Sequence, residues 1–113
     1  MAGSDPFDFG RLRGSLGLAD AESVLDLRGA GRARAEASLR DMLERSRFSA
    51  AKTVAIRLDP PPEGGGETLF QPVGRLLLGA RKRGWIERLH PLPAHDGLGF
   101  YVGLRGRRER EGR

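Results

Sequence analysis

The sequence predicts a small α/β sandwich of two or three layers with the element order β-α-β-α-β-β. Three observations predict it. Two segments of helical period separate short apolar runs that read as strands. Glycine- and proline-rich breaks fall between the segments. Two successive strand–helix units require crossover connections, and hence a sheet that is at least partly parallel. At 113 residues the chain holds one domain with a single core.

Residues 1–22 are rich in Gly, Asp and Ser without sustained period, so they read as a flexible leader, with 18–23 compatible with a short helical turn. In "SVLDLRGAG" the apolar residues Val24, Leu25 and Leu27 form a brief strand facing the core, ended by Arg28 and Gly29. The stretch "AGRARAEASLRDMLERSRFSAA" places Ala35, Leu39, Met42 and Leu43 on one helix face, with Glu36, Arg40 and Glu44 four apart on the other. This helix ends near residues 45–47, with Phe48 packing back. Residues 52–58, "KTVAIRL", alternate with high β-branched content and form the second strand.

"DPPPEGGGE" can continue neither element, because prolines block a ladder and glycines open conformations closed to other residues. Thr68 then caps a second helix whose inner stripe is Leu69, Val73, Leu76, Leu77 and Ala80. Pro72 is tolerated near its start, and Gly84 is a natural stop after Arg81, Lys82 and Arg83. "WIERLHPLP" predicts a third strand with Trp85, Glu87 and Leu89 on one side and Ile86, Arg88 and His90 on the other, at an edge because of Pro91 and Pro93. "AHDGLG" is a turn and "FYVGLRG" the fourth strand. The division is a leader over 1–22, an α/β domain over 23–105 and a basic tail over 106–113.

Composition narrows the function classes. There is no cysteine, which removes disulfides and thiolate metal sites. No apolar run is long enough to cross a bilayer and the N-terminus lacks the order of a signal peptide, so a cytoplasmic protein without membrane partners is expected. The net charge of +5 is uneven. Residues 1–23 carry two more acids than bases, 24–104 four more bases than acids, and the last nine, "RGRREREGR", three more bases than acids. Phosphate-bearing partners fit this balance. An arginine-rich genome, or solvated helix faces, would produce the same bias.

Four groups of residues are candidates for a site. Asp26, just before the end of a strand in an α/β fold, is placed to act as a base or bind a metal, and Arg28 to hold a phosphate bidentately. The plain alternative is that both point outward and pair with neighbours. Gly64, Gly65 and Gly66 precede a helix N-terminus, where free N–H groups receive anions. No lysine follows them and there is no GxGxxG, which argues against ATP or NAD and leaves a connector as the alternative. His90 and His95 with Asp96 do not have metal-ligand spacing, so surface histidines and no resident metal or cofactor are expected. Arg75, Arg81, Lys82 and Arg83, with Arg88 and the tail residues Arg105, Arg107 and Arg108, can form one positive face. Aromatic residues are few among these bases, which favours backbone contact over base stacking.

The element order, with "LDLRG", a helix carrying "AEASLRDML", a glycine loop and a closing "GLGFYVGLR", resembles the small MutS-related (Smr) domain over residues 24–105. Leu25, Asp26 and Gly29 match that family's L-D-x-H-G motif, with Arg28 in place of the histidine. Gly64, Gly65 and Gly66 stand where the family has an H-G-x-G or T-G-x-G loop, without the His or Thr. The resemblance implies a fold similar to the C-terminal domain of bacterial translation initiation factor three, and nucleic-acid binding. Some members of the family nick DNA or cleave RNA, including messages on stalled ribosomes. An arginine stays protonated and cannot act as a general base at neutral pH. The expectation is therefore a stand-alone Smr-like domain on RNA or ribosomes rather than free DNA, with weak or no nuclease activity. One alternative is an endonuclease in which Asp26 binds a divalent metal and Arg28 stabilises the phosphorane. The other is an adaptor whose leader and tail dock on a protein.

Overall fold

A computed structural model describes residues 16–107, and their elements follow the expected β-α-β-α-β-β order. They are β1 (Ser23–Asp26), α1 (Arg32–Ser46), β2 (Lys52–Arg57), α2 (Phe70–Lys82), β3 (Ile86–Pro91) and β4 (Gly99–Leu104). Single 3-10 turns lie at Leu18–Asp20 and Ala94–Asp96. The helices form where apolar residues recur at helical spacing: Ala35, Leu39 and Leu43 of α1 and Val73, Leu77 and Ala80 of α2 are buried. α2 ends in a Schellman motif. Gly84 takes φ +84°, the Trp85 N–H donates to the Ala80 carbonyl at 3.0 Å, and the Gly84 N–H donates to that of Arg81 at 2.9 Å.

The sheet order is β1-β2-β4-β3, with β1 parallel to β2 and β4 antiparallel to both its neighbours. Alternation along the strands sends Leu25, Leu27, Val54, Ile56, Val102 and Leu104 to the face that packs against both helices. The opposite face carries Ala55, Tyr101 and the buried Leu92, covered by Leu16, Leu18 and Ala21. The sandwich therefore has two layers, with a short chain segment across part of the second sheet face.

Three expectations are corrected. Residues 16–22, assigned to the leader by composition, belong to the domain: the Glu22 N–H donates to the Thr53 carbonyl at 3.1 Å, and the Leu18 N–H to Asp96 Oδ2 at 2.9 Å. Val24 does not face the core. It is half exposed, because the two-residue period that buries Leu25 and Leu27 turns Val24 and Asp26 to the other face. In β3 the register shifts between Ile86 and Arg88, so Ile86 and Leu89 share the core side instead of alternating across the strand. Thr68 Oγ1 accepts the Phe70 N–H at 3.1 Å, as a capping residue does, although Leu69 holds the N-cap position.

Gly99 sits where β4 meets the end of β2, and an added Cβ would fall on the Ile56 carbonyl oxygen and crowd Leu92. Backbone cannot yield there without breaking the β2–β4 ladder. Gly99→Ala is expected to lower the unfolding free energy by about 3 kcal/mol, the upper end of overpacking costs, read from urea denaturation.

Candidate nucleic-acid interface

The turn from β1 to α1 is fixed by backbone bonds. The Leu27 N–H donates to the Arg57 carbonyl at 2.9 Å and the Ala30 N–H to the Leu27 carbonyl at 3.1 Å. Gly29, at φ +85°, directs its N–H to Asp59 Oδ2 at 2.7 Å. Asp59, just past the end of the neighbouring strand β2, thus holds the corner, a role that its place at the head of a proline run does not suggest.

Asp26 and Arg28 are on the surface of this corner and bind each other. Asp26 Oδ1 accepts from Arg28 Nε at 2.8 Å and from its backbone N–H at 3.1 Å, and Oδ2 accepts from Nη2 at 2.7 Å. The hydrogen bonds from the Arg28 guanidinium, then the one from its backbone N–H, lower the Asp26 carboxyl from 3.8 to about 2. A carboxylate this acidic, with both oxygens engaged, is a poor proton acceptor near neutral pH. The same pair occupies the guanidinium edge that would grip a phosphate.

The glycine loop does not join this pair in a cradle. Gly64, Gly65 and Gly66 all have positive φ (+89°, +93° and +133°), which explains their identity through backbone conformation. A cleft of about 450 Å³ beneath the loop is lined by its flanks, with Asp59 and Glu67 beside Arg32 and Thr68. Arg32 is itself paired with Glu36 at 2.8 Å. At this end Arg28 and Arg32 are matched by carboxylates and Asp59 and Glu67 add further acids, while Arg57 is in no ion pair among the described residues.

The helices differ in the same way. On α1, Arg40 lies 3.8 Å from Glu36, Arg45 3.0 Å from Asp41, and the capping Arg47 3.1 Å from Glu44. α2 contains no acidic residue. Its Arg75, Arg81 and Lys82, and Arg83 at its cap, are exposed, and among the described residues none of the four pairs with a carboxylate. Arg75, Arg81 and Lys82 surround Leu78, which is 52% exposed. From Arg75 to Arg83 the helix rises about 12 Å.

The strand directions put the two groups at opposite ends of the sheet. Asp26, Arg57 and Gly99 mark the end with the corner and the glycine loop; Ser23, Lys52, Ile86 and Leu104 mark the other, where α2 finishes. Arg28, Gly64, Gly65 and Gly66 are thus separated from Arg81, Lys82 and Arg83, and Arg75 stands between. Arg105 is exposed beside the second group, and Arg107 is tethered there by its N–H to the Ser49 carbonyl at 2.7 Å. Arg108 lies outside the described residues. Arg88 is exposed on β3.

His90 stacks on Tyr101 at 5.2 Å, with its Nε2 3.1 Å from the Leu16 carbonyl oxygen. His95 is exposed in the turn, 3.6 Å from Asp96. Among the described residues no three His, Cys, Asp or Glu side chains come together as metal ligands, and no helix is long and apolar enough to cross a membrane. The structure also brings Arg47, Phe48 and Trp85 together, a grouping that sequence patterns do not reveal. Its only linear trace is an Arg-Phe and an Arg-Gly-Trp, each just past the end of a helix. In comparisons with known proteins the chain matches no family model, no curated protein and no solved structure.

Because the Asp26 pKa is depressed on folding, the contribution of the pair is present above about pH 4 and is lost as pH falls toward 2. Carboxyl titration followed by NMR is expected to place Asp26 near 2 in the native chain. In Arg28→Ala it is expected to return toward 3.8. An unchanged Asp26 midpoint would show that the pair does not persist in solution.

Proposed function

We propose that this chain is a small nucleic-acid-binding domain of Smr type that contacts the phosphate backbone along α2, and that it has weak or no nuclease activity. The observation that carries this reading is the contrast between the helices. Four of the five cations of α1 and its cap have acids three or four residues away, Arg34 being the exception, which offsets their attraction for a polyanion. Those of α2 have none, so a phosphate strand is their most favourable partner. The resemblance carried by Leu25, Asp26, Gly29 and the element order directs the reading to RNA or ribosomes rather than free DNA.

Support for an active endonuclease is weaker. Asp26 would have to release Arg28 before it could hold a divalent metal or orient water, and Arg28 would have to release Asp26 before it could stabilise a phosphorane. Arg28 also cannot take the proton that a histidine in its place could.

Binding of a single-stranded oligonucleotide, measured by anisotropy across a salt series, tests the proposal. Replacing Arg75, Arg81 and Lys82 together by Gln is expected to weaken binding for all sequences. The slope of log K against log salt should fall by about 2, at about 0.7 for each phosphate no longer neutralised. Replacing Arg40 and Arg45 of α1 is expected to change little. Salt-independent binding, or equal weakening from the two helices, would overturn the proposal.

A further inference from the structure

Where α1, α2 and β4 end, the chain leaves a cleft of about 380 Å³ between Arg47 and Phe48, Arg83 and Trp85, and Gly106. Trp85, the only tryptophan in the chain, is held on both sides by backbone. Its N–H donates to the Ala80 carbonyl, and its carbonyl accepts the Arg105 N–H at 2.9 Å. Two guanidinium groups lie over its ring, Arg47 at 4.8 Å and Arg83 at 5.2 Å from the centroid, within cation–π range. Arg107 is drawn to the same place, with Nη1 donating to the Phe48 carbonyl at 3.3 Å. Phe48 is 70% exposed, with the Arg47 guanidinium 5.5 Å from its ring centre. It does not pack back on the core as the sequence suggests.

Helix dipoles account for part of this arrangement. Arg47 and Arg83 occupy the C-caps of α1 and α2, where a cation is favoured in any protein. The dipole gives no reason for a third arginine held at the same point, nor for a phenyl ring left in solvent beside it. Glu44, bound to Arg47, is the one acid paired with these three arginines among the described residues, so the cleft keeps a positive excess.

We propose that this cleft takes one nucleotide of a single strand, with its phosphate among Arg47, Arg83 and Arg107 and its base on the open face of Phe48. The inference rests on the nucleic-acid reading above and makes it more specific. The cleft volume is near the lower end for ligand pockets, enough for one nucleotide. A duplex keeps its bases stacked on one another and can offer the arginines only phosphate, whereas a single strand can place a base on an aromatic ring. The cleft adjoins Arg83 at the end of the α2 cations, so a strand lying along α2 reaches it without leaving the positive surface.

Trp85 supplies the readout, because an anion that draws Arg47 or Arg83 off its ring changes its emission. The full chain is titrated with a short oligouridylate, with a duplex, and with uridine monophosphate, following Trp85 fluorescence and, for the labelled strands, anisotropy. Oligouridylate is expected to alter Trp85 emission; a duplex still offers the arginines phosphate, so the two are told apart by the contact on Phe48 and not by Trp85. Phe48→Ala, at an exposed position and with an unchanged melting curve, is expected to weaken oligouridylate about tenfold while leaving duplex binding unaltered. Oligouridylate bound by anisotropy with Trp85 emission and Phe48→Ala affinity both unchanged would overturn the cleft and leave the α2 reading intact. Uridine monophosphate binding as tightly as the strand would make the cleft a site for free nucleotide, which also overturns the strand assignment. No binding of either nucleic acid would overturn both proposals.

Discussion

The structure depends on the place of its last strand. β4 enters the sheet between β2 and β3, and all six of its residues are buried. Val102 and Leu104 then complete the surface on which α1 and α2 lie. Before β4 is in place, β2 and β3 have no hydrogen-bonding partner between them and the helices have only part of a floor. Gly99 and Gly103 permit the insertion: the first passes against the Ile56 carbonyl, and the second leaves room for Arg88, whose Cβ would come within 3.0 Å of an added methyl. The same strand runs on into Arg105 and Arg107, whose bonds to Trp85, Ser49 and Phe48 arrange the end of the sheet where α1 and α2 finish.

Around this frame charge is sorted by element. At the β1–α1 corner and along α1, arginines and carboxylates pair within a few residues of one another. Exposed pairs of this kind contribute little stability, but they lower the attraction of the surface for a polyanion. On α2 and its cap, Arg75, Arg81, Lys82 and Arg83 have no carboxylate partner among the described residues, whereas on α1 only Arg34 has none. A net charge of +5 is modest, and its effect on partners depends on this sorting more than on its size. The proposed contact surface is accordingly the outer side of α2, with the Asp26–Arg28 pair closing the corner.

Much of the fold was legible in the sequence because the relevant signals are local. The helical spacing of Ala35, Leu39 and Leu43, and of Val73, Leu77 and Ala80, selected the buried faces, and Gly84 marked the end of α2. Expectation and structure differ where distant residues decide. Alternation in β3 failed because its bulge against Gly103 is a property of the pair of strands. Composition alone ends the leader too late, because Leu16 and Leu18 acquire partners, Ala55, Leu92 and Tyr101, only after the sheet forms. The candidate site shows the same limit. Their spacing marks Asp26 and Arg28 as neighbours of chemical interest, but their bidentate closure is geometry. Arg47 and Trp85 lie far apart in sequence, and nothing in either segment alone brings them within 4.8 Å.

The proposed interface is tested most directly by mapping amide and indole shifts of the isotope-labelled full chain on addition of oligouridylate. The account predicts that perturbations run along α2 through Arg75, Leu78 and Arg81 to Arg83 and the Trp85 indole, with Arg32, Glu36 and Arg40 unmoved. Perturbations centred on Asp26, Gly29 and the three loop glycines, with α2 silent, would contradict it.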